Sequence, residues 1–192
     1  MKKKTTLNGI LSPLLKYIRI KKILKYIDKD ASILDIGCDE AYILKYINNY
    51  NCYLGIDINS EIIKYNKIKY SKMKKISFYS MDIEQSIGNI DKKFDTVILT
   101  AVIEHLKDFY GLLSKLSDIT TDKAILIITT PAKVSDKILK IGAKIKIFSS
   151  ESLDEHEQYF KKTDFKELEK WELKYYSLFE LFMNQLIILK KR

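Results

Sequence analysis

Cysteine, histidine and arginine are each present only twice in this chain of 192 residues, and each scarcity excludes something. Cys38 and Cys52 fall on successive expected β elements with no further cysteine or nearby histidine. That rules out a disulfide framework and a zinc ribbon and leaves two buried thiols in a reducing compartment. No stretch approaches the roughly 20 apolar residues that a bilayer span requires. The basic start, Met1-Lys2-Lys3-Lys4, is not followed by an apolar run with a small-residue cleavage site before Pro13, so neither a signal peptide nor a membrane span is expected and a cytoplasmic location follows. The formal net charge is +9, which invites a nucleic-acid partner. Yet Arg19 and Arg192 are the only guanidinium forks, the groups on which specific phosphate and base recognition leans. With lysine abundant along the whole chain, the charge reads as composition, and nucleic acid is not the favoured partner. Repeats, linkers and low-complexity tracts are absent as well.

What is present is ordinary globular material, 46% hydrophobic and 31% charged, enough for one domain with a real core. Residues 1–30 are expected to be a helical extension and 31–192 the core. Leu14, Leu15, Ile18, Ile20, Ile23, Leu24 and Ile27 recur at helical spacing, with Ser12 as cap and Pro13 at the first position, predicting a helix over 12–29. Alternation then sets in: strand 32–36, helix 40–49, strand 52–57, helix 60–71, strands 76–80 and 94–99, helix 103–118, strand 124–129. Strands alternating with helices argue an α/β fold with a doubly wound, mostly parallel sheet, Rossmann-like. The runs Phe94–Leu99 and Ala124–Thr129 are almost continuously apolar, as strands buried on both faces must be. A helix over 133–142, an aperiodic polar stretch over 149–157 and a short helix over 163–170 follow. Two β-rich runs, 171–178 and 185–189, close the chain. The link between them is too short for a crossover helix, so they form an antiparallel hairpin completing a seven-stranded sheet.

The most informative segment is Ile33-Leu34-Asp35-Ile36-Gly37-Cys38-Asp39-Glu40-Ala41-Tyr42, a buried strand running into a tight turn. Such a turn holds nucleotide-like ligands in doubly wound proteins. A dinucleotide would need small residues there, so that backbone amides could approach a pyrophosphate. Asp39 and Glu40 stand at the tip instead. Two carboxylates would repel phosphate but suit a ligand carrying an ammonium and a sulfonium, which is S-adenosylmethionine.

From these residues onward the chain resembles the class I S-adenosylmethionine-dependent methyltransferases, over about residues 31–190. The family's first motif, an acid followed by a glycine-rich loop, is matched by Asp35, Gly37 and Ala41. Asp39 replaces the usual middle glycine. The loop D-x-G-S-D-H-A-Y of some bacterial tRNA adenine methyltransferases carries Asp at the same place, and Asp39, Ala41 and Tyr42 line up with it. The resemblance implies that Asp35, Gly37, Cys38, Asp39 and Ala41 line the cofactor. It assigns Asp57, with Ile58 beside it, to the ribose hydroxyls. It sets Asp82 at the adenine amino group with Ile83 beside the ring, and Thr100 and Ala101 at the methionine part.

His105, in Ile103-Glu104-His105-Leu106, is expected on the first turn of the helix after the fourth strand, near the transferred methyl. Histidine suits general-base work at neutral pH; a packed, helix-capping histidine is the plainer alternative. His156, in Glu155-His156-Glu157, resembles segments bordering the acceptor pocket in glycan and quinone-type methyltransferases. Glu104, His105 and His156 could instead assemble a divalent-metal site, as in the small-RNA 2′-O-methyltransferases, but those enzymes carry a further Glu where this chain has Ala101, so a metal is not the favoured reading. An Asn-Pro-Pro-Tyr tetrapeptide is missing after the fourth strand, which argues against the amino-group methyltransferases of DNA and glutamine. Thr129-Thr130-Pro131 instead resembles members acting on small metabolites or glycans. The expectation is methyl transfer to an oxygen or nitrogen of a small-molecule or glycan-type acceptor. The alternatives are an RNA methyltransferase and a catalytically inactive subunit of the same fold.

Overall fold

The computed structural model describes residues 12–133, 158–179 and 183–192. Seven strands form one sheet: β1 (Ala31–Ile36), β2 (Tyr50–Asp57), β3 (Ile76–Ser80), β4 (Phe94–Thr100), β5 (Thr120–Pro131), β6 (Trp171–Phe179) and β7 (Asn184–Lys191). Their order is β3-β2-β1-β4-β5-β7-β6. The first five are parallel. β7 runs antiparallel to both β5 and β6, the closing hairpin that the short 179–184 link dictates. The order reverses direction between β1 and β4, the point at which open α/β sheets leave a crevice at their carboxyl edge.

Four helices are described: α1 (Ser12–Ile23), α2 (Ser60–Lys69), α3 (Ile83–Ser86) and α4 (Phe109–Asp118). Ile20 and Ile23 of α1, Ile43 and Leu44, and Ile63 of α2 pack with Ile33, Tyr53 and Ile98 on one side of the sheet. On the other side, Phe109, Leu112, Leu113 and Leu116 of α4 share a cluster with Leu34, Val97, Leu126 and Trp171. Spacings of three and four put α4's apolar residues on one stripe. Every residue of β1 is buried, as its position between β2 and β4 requires. None of the described helices is long and apolar enough to cross a membrane.

Several elements are shorter than the periodicity predicts, each with a local cause. The expected helix over 40–49 is only a 3-10 turn, Tyr42–Lys45. Ala41, at its N-cap, sits in the left-handed region with φ 52 and no side-chain cap bond, so nothing satisfies the first amides that a longer helix would need. The helix expected over 103–118 is split. Ile103–His105 forms a separate 3-10 turn, Leu106 is extended, and α4 restarts at Phe109 under an Asp108 cap, whose carboxylate accepts from the Gly111 amide at 2.8 Å. The Glu84 carboxylate accepts from the Asp108 amide at 2.7 Å, tying that restart to α3. The N-terminal helix gives way after Ile23 to a 3-10 turn over Leu24–Tyr26, and the 163–170 helix is a turn over Lys162–Phe165. The helix expected over 133–142 lies outside the described residues, apart from its first position.

Trp171 anchors the hairpin to the sheet's helical layer. It is 1% exposed, and its indole N–H donates to the Leu113 carbonyl at 2.9 Å. Trp171→Ala is therefore expected to cost about 3–5 kcal/mol through the cavity and the lost hydrogen bond. Urea unfolding followed by circular dichroism checks this; a loss under about 1 kcal/mol would show that the hairpin does not depend on this side chain.

Candidate cofactor and acceptor site

The site assembles where β1 and β4 part. Asp35 and Ile36 end β1 in register with Gly55 and Ile56 of β2 and with Ile98 and Leu99 of β4. Beyond them the Gly37 and Cys38 amides both donate to the Ile56 carbonyl, at 2.8 and 3.0 Å, which bends the chain over the end of β2. Gly37 has φ 70, and a Cβ there would lie 2.4 Å from the Val102 Cγ2 atom. Only glycine therefore lets the loops after β1 and β4 close on each other. Asp39 and Ala41 also have positive φ, 46 and 52. The loop thus keeps a left-handed path at three alternate positions, two of them without glycine. Aspartate tolerates that region and alanine is strained in it. Ala101 repeats the feature after β4 with φ 54, its amide held by the Thr129 carbonyl at 2.8 Å.

The first two acid-bearing junctions meet through Asp57. Its Oδ2 accepts from the Asp39 amide at 3.0 Å and its Oδ1 from the Asn59 amide at 2.9 Å, so the carboxylate is pinned from both sides at the end of β2. Each oxygen retains a lone pair for a further donor. Asn66, fully buried on α2, donates to the Asp39 carbonyl at 2.6 Å, and the Tyr70 hydroxyl reaches the Ala41 carbonyl at 3.4 Å. The third junction lies alongside: the Met81 amide donates to the Asp57 carbonyl at 3.1 Å. The Asp82 carboxylate, however, caps α3, accepting from the Glu84 amide at 3.1 Å and the Gln85 side chain at 2.8 Å.

Asp35 lies beneath the loop, 5% exposed, and its Oδ2 accepts the Tyr53 hydroxyl at 2.5 Å. Burial pushes its carboxyl up to about 7, the Tyr53 hydrogen bond pulls against that, and the charges of Asp57 and Asp39 add to the rise. Burial, and then the same acids, also drive the Cys38 thiol far above its usual range. These carboxylates therefore share one electrostatic environment. Lys16 of α1 leans into it, 3.5 Å from Asp39 and over the Tyr42 ring. A crevice that concentrates negative charge at a glycine turn and offers pinned carboxylate oxygens fits a cation-bearing nucleoside better than a phosphate.

The remaining expected residues fall as follows. Ile58 is 75% exposed beside Asp57, an apolar side chain open at the cleft, whereas Ile83 is 6% exposed and packs in the core. Thr100 is half-buried at the end of β4 and Ala101 exposed after it. His105 is exposed, on the isolated turn rather than at the start of α4. Next to it Glu104 is 1% exposed and accepts the Thr130 hydroxyl at 3.0 Å. His156 lies outside the described residues. Among the described residues there is no group of three or more His, Cys, Asp and Glu placed to hold a metal. Tyr53, Asn66 and Val102 escaped the sequence reading. Asn66, a polar residue on the buried side of an amphipathic helix, carried a legible signal; the other two are ordinary strand and loop residues.

Comparison with known proteins agrees with the fold. The sequence model of a methyltransferase domain matches residues 15–171. No curated protein matches the sequence. Among solved structures, the N-methyltransferase NodS from Bradyrhizobium japonicum WM9 is similar at a TM-score of 0.64 and 12% identity, over 95% of this chain and 99% of that one. Magnesium protoporphyrin IX methyltransferase from Synechocystis PCC 6803, with bound SAH, is similar at 0.64 and 14% identity, over 94% and 83%. A SAM-dependent methyltransferase from Methanosarcina mazei gives 0.64 and 19% identity, over 88% and 96%. At these identities the likeness is one of fold.

The raised Asp35 carboxyl carries a pH signature. Because it is protonated in the fold up to about 7 but ionised from about 4 once unfolded, its contribution to stability is full below about 4. That contribution is lost as pH rises through about 7, at up to about 1.4 kcal/mol per pH unit. Asp35→Asn, which imitates the protonated acid, is expected to flatten the stability profile between pH 5 and 8. Chemical unfolding at a series of pH values measures it; a variant with the parental slope would place the dependence elsewhere.

Proposed function

The chain belongs to the methyltransferase-domain family, the class I S-adenosylmethionine-dependent methyltransferases, and from that premise we propose that it methylates an oxygen or nitrogen atom of a small-molecule or glycan-type acceptor. The cofactor supplies a methyl group activated on a sulfonium. The reading of its site rests on one observation above others: Asp57, pinned by the Asp39 and Asn59 amides at the end of β2, next to the switch point of the sheet. A carboxylate so held keeps both oxygens aimed at a fixed place, where two vicinal hydroxyls bind as charge-assisted hydrogen bonds. Ile58 offers the apolar wall next to it. Asp39 and Asp57 set a negative potential that favours an ammonium, and Gly37 gives the ligand close access to backbone. Asp82, engaged in capping α3, holds the third junction in place and meets the ligand only through lone pairs left over from that task.

In this reading Thr100 and Ala101, at and just after the end of β4, face the methionine part of the cofactor, and the acceptor lies beyond them toward the turn that carries His105. Methyl transfer needs the nucleophile held in line far more than it needs chemical assistance, which suits a site with few titratable groups. His105, exposed on its turn, is the general base in this reading, with His156 as a second candidate. Glu104 and Thr130 brace the turn from below. A small acceptor is supported by the Thr129-Thr130-Pro131 end of β5 and by the missing Asn-Pro-Pro-Tyr tetrapeptide. An RNA acceptor is the second reading, and it would call for the lysines to cluster on the face that carries the cofactor mouth. Both thiols are free, Cys38 buried as expected and Cys52 only half-buried, which suits work in a reducing compartment such as the cytoplasm.

Asp57→Ala should weaken S-adenosylmethionine binding at least tenfold, about 1.4 kcal/mol or more, by removing both charge-assisted contacts. Isothermal calorimetry with the cofactor and with its demethylated product reads this directly, and unchanged affinity sinks the assignment of the ribose site. His105→Ala, by contrast, is expected to lower turnover while leaving cofactor affinity within about twofold. Equal turnover, once an acceptor is in hand, would reduce His105 to a packing role.

A further inference from the structure

Lysine is spread along the whole sequence, but acids are not. From Ile62 to Met81 the chain carries Lys64, Lys67, Lys69, Lys72, Lys74 and Lys75 and no acidic residue. All six lysines are exposed, over the second half of α2 and the loop into β3. α1 lies on the same side of the sheet and adds Lys16, Arg19, Lys21 and Lys22. On the opposite side the lysines of 84–118 are interleaved with Glu84, Asp91, Asp95, Asp108 and Asp118. The α1–α2 side has acids too, Asp39 beside Lys16 and Glu61 beside Lys64, but the run from Ile62 to Met81 holds six lysines and none.

The lysines are also paired with rings. Lys67 lies over Tyr79 at 5.6 Å, and Lys69 over Tyr65 at 5.1 Å and Tyr70 at 5.0 Å. Tyr65 and Tyr79 are 49% and 54% exposed, and Met73 beside them 45%. Between these groups runs an open groove of about 230 Å³, lined among others by Lys67, Tyr70, Ser71, Met73, Ser77 and Tyr79. It is smaller than the pockets that enclose drug-sized ligands. Cations alternating with exposed aromatic faces along a shallow track are what a single-stranded nucleic acid needs: ammonium groups for the phosphates and rings for the bases. Ile68 and Met73 stand exposed here too, 76% and 45%, and an anionic lipid surface or a polyanionic glycan would draw on the same cations; the alternation of cations with rings favours a single strand, whose bases stack one by one. Ser71 and Ser77 place hydroxyls in the groove, where a 2′-hydroxyl can be bound.

We propose that the α2–β3 edge is a docking surface for single-stranded RNA, with Lys67, Lys72 and Lys74 on the backbone and Tyr79 stacked on a base. The surface is independent of the acceptor proposed above, and its test does not use methyl transfer. A fluorescein-labelled single-stranded RNA of mixed sequence is titrated with the full chain by anisotropy at several salt concentrations. The Lys67→Gln/Lys72→Gln/Lys74→Gln variant should bind at least tenfold more weakly, and the slope of log affinity against log salt should fall by about 2. Tyr79→Ala should weaken binding several-fold with the slope unchanged, while Tyr79→Phe should keep it. All four positions are exposed, so unchanged thermal melts will confirm folding. Calorimetry with S-adenosylmethionine should be unaffected by any of these variants, which separates failure of this surface from failure of the cofactor site. Absence of RNA binding at low salt overturns the proposal. So does equal or tighter binding of heparin, of single-stranded DNA of the same sequence, or of anionic phospholipid vesicles. Binding indifferent to both the lysine and the Tyr79→Ala changes overturns it as well.

Discussion

Between Ile36 and Tyr42 the chain must leave a strand buried on both faces, turn over the end of β2, and return alongside the sheet within five residues. The path it takes is left-handed at three alternate residues, Gly37, Asp39 and Ala41. The rest of the site follows from that turn. It brings the Asp39 amide onto the Asp57 carboxylate, presses Gly37 against Val102 in the loop after β4, and leaves Asp35 sealed beneath. It also explains why the segment that follows is a single 3-10 turn, since a chain entering from a left-handed residue starts a helix without a cap. The cleft is thus a property of backbone geometry first and of side chains second.

Much of this was legible in the sequence because burial on both faces leaves a plain mark. The apolar runs of β4 and β5, and the alternation of strands with amphipathic helices, specified the parallel sheet. The short link before the last strand specified the hairpin. Acids at the ends of the first and second strands pointed to the crevice. What could not be read depends on contacts between distant segments. That Leu106 would break the helix after β4 hangs on Asp108 and on Glu84, a residue more than twenty positions earlier. Tyr53 as the partner of Asp35 is likewise a matter of sheet register. Asp82 illustrates a different limit, since an acid after a strand serves equally as a helix cap or as a ligand group, and spacing alone does not separate the two.

Electrostatics divides the molecule twice. Within the crevice, acids gather around the turn with Lys16 at their rim. Across the sheet, positive charge gathers on the α1–α2 side while the α3–α4 side is mixed. The net charge of +9 is therefore unevenly spread, the run from Ile62 to Met81 carrying six lysines and no acid. Long-range fields of this kind orient a charged partner before contact, so the approach of any anion would be biased toward one side of the sheet and away from the acidic crevice.

The two non-glycine residues in the left-handed turn have a further effect on how the pocket behaves in time. Glycine at those places would let the loop sample many shapes and settle only on meeting its ligand. Asp39 and Ala41 deny it most of those shapes, at the expense of local strain, and Asn66 and Tyr70 fasten their carbonyls from behind. The mouth of the cleft is accordingly rigid before anything enters it. Association surrenders little chain entropy there, and a nucleoside whose outline does not match is turned away by a wall that will not yield.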